Sequence, residues 1–205
     1  MFYLDLFKAL QEERVDYVVV GGLAVNLHGV ERATMDVDLV LAMNAANLGR
    51  FLKAATRLTL TPMLPVPIES LCDAKQLRAW VRDKHMIAFA LRSASPNLPT
   101  VDIIVQPAVS FRTMQRNRIE KDVGGVRFSL ASIDDLNGVT EIDYAYETTE
   151  ERVRAYLKIP AIDRLRWLEE LCVFTSMVRQ APTTYPTAGR GKRQASFISR
   201  RALPS

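Results

Sequence analysis

Residues 18–43 read VVVGGLAVNLHGVERATMDVDLVLAM. An apolar, β-branched run breaks at Gly21-Gly22, and a second apolar run then carries Asp36 and Asp38 two positions apart. The first run, from Asp16 to Val20, reads as a buried strand with a sharp exit. Leu23 to His28 reads as a short helix closed by Gly29. Val37 to Ala42 reads as the next strand. Side chains alternate along a strand, so Asp36 and Asp38 share one face and their oxygens can converge on a hard cation. Glycines and carboxylates both weaken a fold at such places, so the stretch asks for a functional explanation.

Working outward, residues 2 to 13 predict an amphipathic helix through Phe2, Leu6, Ala9 and Leu10. Ala45 to Leu58 predicts another, with Leu48, Phe51, Leu52 and Ala55 on one face. Pro62, Pro65 and Pro67 mark a loop. His85 to Leu91 and Val101 to Val105 are apolar strands joined by the turn-rich SASPNLPT, which suits a hairpin. Glu120 to Val123 and Val126 to Leu130 flank Gly124-Gly125, a second hairpin signal. Ser132 opens a helix at SIDDL. Beyond Leu136 the character changes to a helical pair over 148–180, interrupted by Pro160 and carrying a Leu165, Leu168, Leu171, Cys172 stripe that reads as a packing face.

TVDIIVQP places Asp102 in another apolar strand, where it can complete a three-carboxylate site with Asp36 and Asp38. Two metal ions held there would activate an attacking hydroxyl and stabilise a leaving oxygen. Gly21-Gly22 would let backbone N–H groups approach a phosphate. Arg32 and Thr34 precede the acids; they either shape a substrate loop or make a structural contact.

The pattern GG-x-A-V-x-x-H-G-x-x-R-x-T-x-D-V-D-L, with Asp102 downstream, resembles the nucleotidyltransferase superfamily of polymerase-beta-like fold. Within it the chain is similar to the AbiEii-type toxins and their bacterial relatives, over about residues 1 to 136. The resemblance implies an α+β fold: a small mixed β-sheet with flanking helices, here followed by a C-terminal helical extension. It implies catalytic and metal-binding roles for Asp36, Asp38 and Asp102, and nucleotide contacts at Gly21, Gly22, Arg32 and Thr34. It further implies Mg²⁺ as two ions, an NTP substrate, and a hydroxyl acceptor on RNA, protein or a small molecule, in a toxin-antitoxin setting. One departure stands out. Relatives usually carry a lysine shortly after the DDL helix, whereas this chain has Thr140 five residues after Asp135. The alternative reading is a catalytically silent protein of the same fold that binds a partner through the 148–180 helices.

The domain layout expected is 1–136 for the nucleotidyltransferase-like unit, 137–180 for the helical extension and 181–205 for a disordered basic tail. The net charge of +4 belongs to that tail. Arg190, Lys192, Arg193, Arg200 and Arg201 lie there without an acid, leaving 22 basic against 23 acidic residues elsewhere. A basic tail can hold a polyanion, although a solvated end is the simpler reading. No run of apolar residues is long enough to cross a membrane, and the N-terminus lacks the features of a signal peptide. Cys72 and Cys172 have no CxxC partner and read as buried free thiols in the cytoplasm.

Overall fold

A computed structural model describes residues 1–95, 97–137 and 149–180, with the side chains of all but Asn137 and residues 174–180. The expected basic tail and Thr140 lie outside the described residues. The described chain contains seven strands: β1 (Tyr17–Val20), β2 (Asp36–Leu41), β3 (Thr61–Pro62), β4 (Ala88–Arg92), β5 (Thr100–Ile104), β6 (Ile119–Val123) and β7 (Val126–Leu130). Its helices are α1 (Phe2–Glu12), α2 (Gly21–Leu27), α3 (Ala45–Arg57), α4 (Ala74–Lys84), α5 (Phe111–Asn117), α6 (Ile133–Asn137), α7 (Glu150–Leu157) and α8 (Ala161–Gln180). The fold class is α+β, with one mixed sheet in the order β3-β4-β5-β2-β1-β7-β6.

The centre of the sheet follows from hydropathy. Val18, Val19, Leu39, Val101 and Ile103 are fully buried, as strands covered on both faces require. β1 and β2 pair antiparallel, with Val20 opposite Asp38. β2 and β5 pair parallel, with Asp38 opposite Asp102. The β4–β5 and β6–β7 hairpins form where the turn residues predict them. Gly124 and Gly125 both take positive φ in the second, a conformation that costs glycine little.

Two helices lie where the sequence pattern gave no stripe. α4 buries only Leu77 and α5 only Met114. Their caps hold them: Asp73 accepts from Lys75 N and Gln76 N, and Ser110 accepts from Thr113 N. The expected strand at His85 begins at Ala88 instead, because His85 closes α4 in the left-handed conformation at φ 51°. Within the proline-rich loop, Thr61 and Pro62 add a short edge strand against β4. Both cysteines are free, but Cys72 is exposed rather than buried.

α7 and α8 pack onto the body of the protein. Leu165 and Leu168 are fully buried within the same core as α1 and β1. Among the described residues no helix is long and apolar enough to cross a membrane.

Candidate active site

Asp36, Asp38 and Asp102 meet because the backbone sets them together. Asp36 and Asp38 alternate onto one face of β2, and the parallel register places Asp102 beside Asp38 on β5. Each of the three offers a carboxylate oxygen, and those oxygens lie within 4.8 Å of one another. All three residues are half-buried.

The glycine pair has a steric reason. β1 ends opposite Asp38, so the chain turns into α2 directly over that carboxylate. Gly21 has φ +64°, and a β-carbon there would overlap Asp38 Oδ2. A β-carbon on Gly22 would lie 2.7 Å from Thr34 Oγ1. The Gly22 N–H donates a hydrogen bond to the Asp38 carboxylate. α2 therefore starts at Gly21, two residues earlier than the periodicity predicts.

Electrostatically the cluster is short of positive charge. Burial, then repulsion from Asp36 and Asp102, pushes the Asp38 carboxyl up to about 7; Arg32 and the Gly22 N–H only partly oppose this. Burial and Asp36 also raise Asp102. Asp102 Oδ1 is buried and accepts no hydrogen bond among the described residues. An all-oxygen donor set with mutual repulsion and an orphaned buried oxygen fits a hard divalent cation such as Mg²⁺.

Thr34 and Arg32 both border this cluster. The Thr34 hydroxyl donates to Asp36 Oδ1 at 2.5 Å. Arg32 lies close to Gly22 and acts electrostatically on Asp38. Its loop is held from behind. Asn26, fully buried, donates through Nδ2 to the Arg32 carbonyl at 2.9 Å and to the Tyr156 hydroxyl at 3.0 Å. The main-chain carbonyl of Asn26 accepts from Arg164 Nη1 at 2.8 Å, and the Cys172 thiol donates to the main-chain carbonyl of Thr34 at 3.8 Å. His28 ends α2 and its Nε2 bonds the Ala131 carbonyl at 2.8 Å, a packed residue.

Reading the sequence missed Asn26, Tyr156 and Arg164. One signal was present: Asn26 is the polar residue in the apolar run LAVNL, and a buried amide needs partners. Its Nδ2 partners are the nearby Arg32 carbonyl and Tyr156 on α7, while Arg164 on α8 bonds its main-chain carbonyl; Tyr156 and Arg164 lie far along the chain, where no local pattern points to them.

No family model and no curated protein matches the chain. Among solved structures it is similar to the solution structure of the antibiotic-resistance factor ANT(2'')-Ia, a nucleotidyltransferase. The identity is 14% and the TM-score 0.40, over 86% of this chain and 89% of that one.

Proposed function

We propose that the protein is a Mg²⁺-dependent nucleotidyltransferase that moves a nucleoside monophosphate from an NTP to a hydroxyl acceptor. The observation that carries this reading is the convergence of Asp36, Asp38 and Asp102, with one buried oxygen left without a partner. Asp36 and Asp38 would hold the cation, with Asp102 as the third ligand. Bound Mg²⁺ supplies charge compensation for the triphosphate and lowers the pKa of a coordinated hydroxyl.

The chain's own residues divide the remaining work. Thr34 orients Asp36 through its hydroxyl. Asp102 would also take up the proton released by the acceptor hydroxyl, through the carboxylate oxygen that does not hold the ion. Arg32 brings positive charge to the phosphates, the task that the resemblance gives to a lysine where this chain has Thr140. Two ions, an RNA or protein acceptor and a role as a toxin are finer parts of the same proposal.

Incubation with labelled NTPs, Mg²⁺ and a cell extract tests it. Label should pass covalently to an acceptor, and EDTA or Asp36→Asn should abolish the transfer. Calorimetry should show NTP binding that needs Mg²⁺ and weakens in Arg32→Ala. Absence of both transfer and NTP binding would favour the silent, partner-binding reading.

A further inference from the structure

A cleft of about 500 Å³ lies between α7, α8 and the chain at Glu31, apart from the carboxylates. Glu31, Arg152, Tyr156, Asp163, Arg164 and Trp167 line it. Arg164 is the unusual member. It is 4% exposed, and among the described residues no ion pair holds it; the adjacent Asp163 pairs with Arg166 instead. Its Nη1 serves the Asn26 carbonyl, its guanidinium carbon lies 5.4 Å from the Tyr156 ring centroid, and its Nε has no partner. A buried cation without a counter-charge is costly, and a neutral amide could serve the Asn26 carbonyl without that cost.

The lining of the cleft names the chemistry that would suit Arg164. Trp167 lines the cleft and remains 41% exposed. Arg152 supplies a second guanidinium, held by Glu31 only at 3.4 Å. Two guanidinium groups beside two aromatic rings suit a flat base attached to a phosphate. Glu31, paired with Arg152, and Asp163, paired with Arg166, keep further lone pairs that can accept from sugar hydroxyls or an exocyclic amine, groups that a simple aromatic acid lacks. The volume is that of a small-molecule site.

This cleft is distinct from the carboxylate cluster. Neighbouring residues diverge: Glu31 pairs with Arg152, while Arg32 lies by Gly22 and Asp38. We propose that the α7–α8 cleft is a second nucleotide site, which takes a nucleoside monophosphate, free or within an RNA strand, without help from the three aspartates. The inference does not rest on the catalytic reading.

Trp167 reports on it. In the full-length Trp80→Phe protein it is the single tryptophan, and its fluorescence can be titrated in EDTA with AMP and with a short oligoadenylate. Adenosine and inorganic phosphate serve as the half-ligands. Saturable quenching by AMP or by the oligonucleotide is expected, and whichever binds tighter identifies the source. Each half-ligand should bind more weakly. Arg152→Ala, an exposed change that spares the core, should weaken binding about tenfold, as should Arg164→Gln. Asp38→Ala should leave it unchanged. Quenching by neither probe, quenching that survives both arginine substitutions, or a requirement for Mg²⁺ and Asp38 would overturn the proposal.

Discussion

Gly21 and Gly124 share nearly the same backbone, φ +64° and +63°, but not the same neighbours. A β-carbon on Gly124 meets open space, so Gly124→Ala should cost only the left-handed penalty of about 1 kcal/mol. Gly21→Ala should cost clearly more, since it also displaces the Asp38 carboxylate. Combined with Asp38→Ala, its cost should fall below the sum of the two single changes. Urea unfolding of the four variants measures this, and strict additivity would show that Asp38 does not lie under the turn. Asp38 carries a second prediction. Its carboxyl titrates near 7 in the folded protein against an ordinary 3.8, so the folded state binds the proton more tightly. The stability of metal-free protein should therefore fall as pH rises from about 4 to 7 and level off above. Roughly 4 kcal/mol bounds the effect. Asp38→Asn should flatten that fall, and Mg²⁺ should offset it at neutral pH. Melting temperatures across that pH window, with Mg²⁺ and with EDTA, decide the matter.

At the scale of elements, the Tyr156 hydroxyl ties α7 to the buried Asn26 behind the Arg32 loop. Tyr156→Phe removes a partner of the Asn26 amide while keeping the ring beneath Arg164. The expected loss is about 1 kcal/mol, read as a lower urea midpoint with an unchanged slope. An unchanged midpoint would mean that the bond contributes nothing. The same scale shows what a reader of the sequence could see. β1, β2 and β5 were legible because buried central strands are apolar throughout, and an aspartate stands out against that background. The β4–β5 and β6–β7 hairpins were legible from turn chemistry. α4 and α5 were not, because each buries a single side chain and so leaves no stripe. Their cap residues, Asp73 and Ser110, were the available signal. The convergence of Asp36 with Asp38 could be read from alternation alone. The arrival of Asp102 beside them depends on strand order, and the Asn26–Tyr156 bond depends on tertiary packing that no local pattern encodes.

For the whole molecule, the question is which parts hold the others up. Leu165 and Leu168 are fully buried against the body, and Leu157 packs over Gly29. Full burial of Leu165 and of Leu168 is worth about 1.5–3 kcal/mol each, and the half-exposed Leu157 contributes less. Removing residues 138–205 loses these and exposes the surface beneath, a sum comparable to the stability of an ordinary domain. That truncation should abolish cooperative unfolding in calorimetry. Removing only residues 181–205, a stretch poor in apolar residues, should leave the melting temperature nearly unchanged. A cooperative transition in the shorter protein would show that the first 137 residues fold alone.

The parallel register of β2 and β5 has a kinetic consequence. Asp38 and Asp102 are distant in the chain, and their alignment is set by a strand pairing whose loop-closure entropy is large. A cation that needs all three carboxylates finds no site until that pairing exists. Where the pairing forms after the rate-limiting barrier, Mg²⁺ should slow unfolding and leave the refolding rate unchanged. In a stopped-flow chevron the ion would then shift only the unfolding limb, and a shift of the folding limb instead would place the β2–β5 ladder within the folding nucleus.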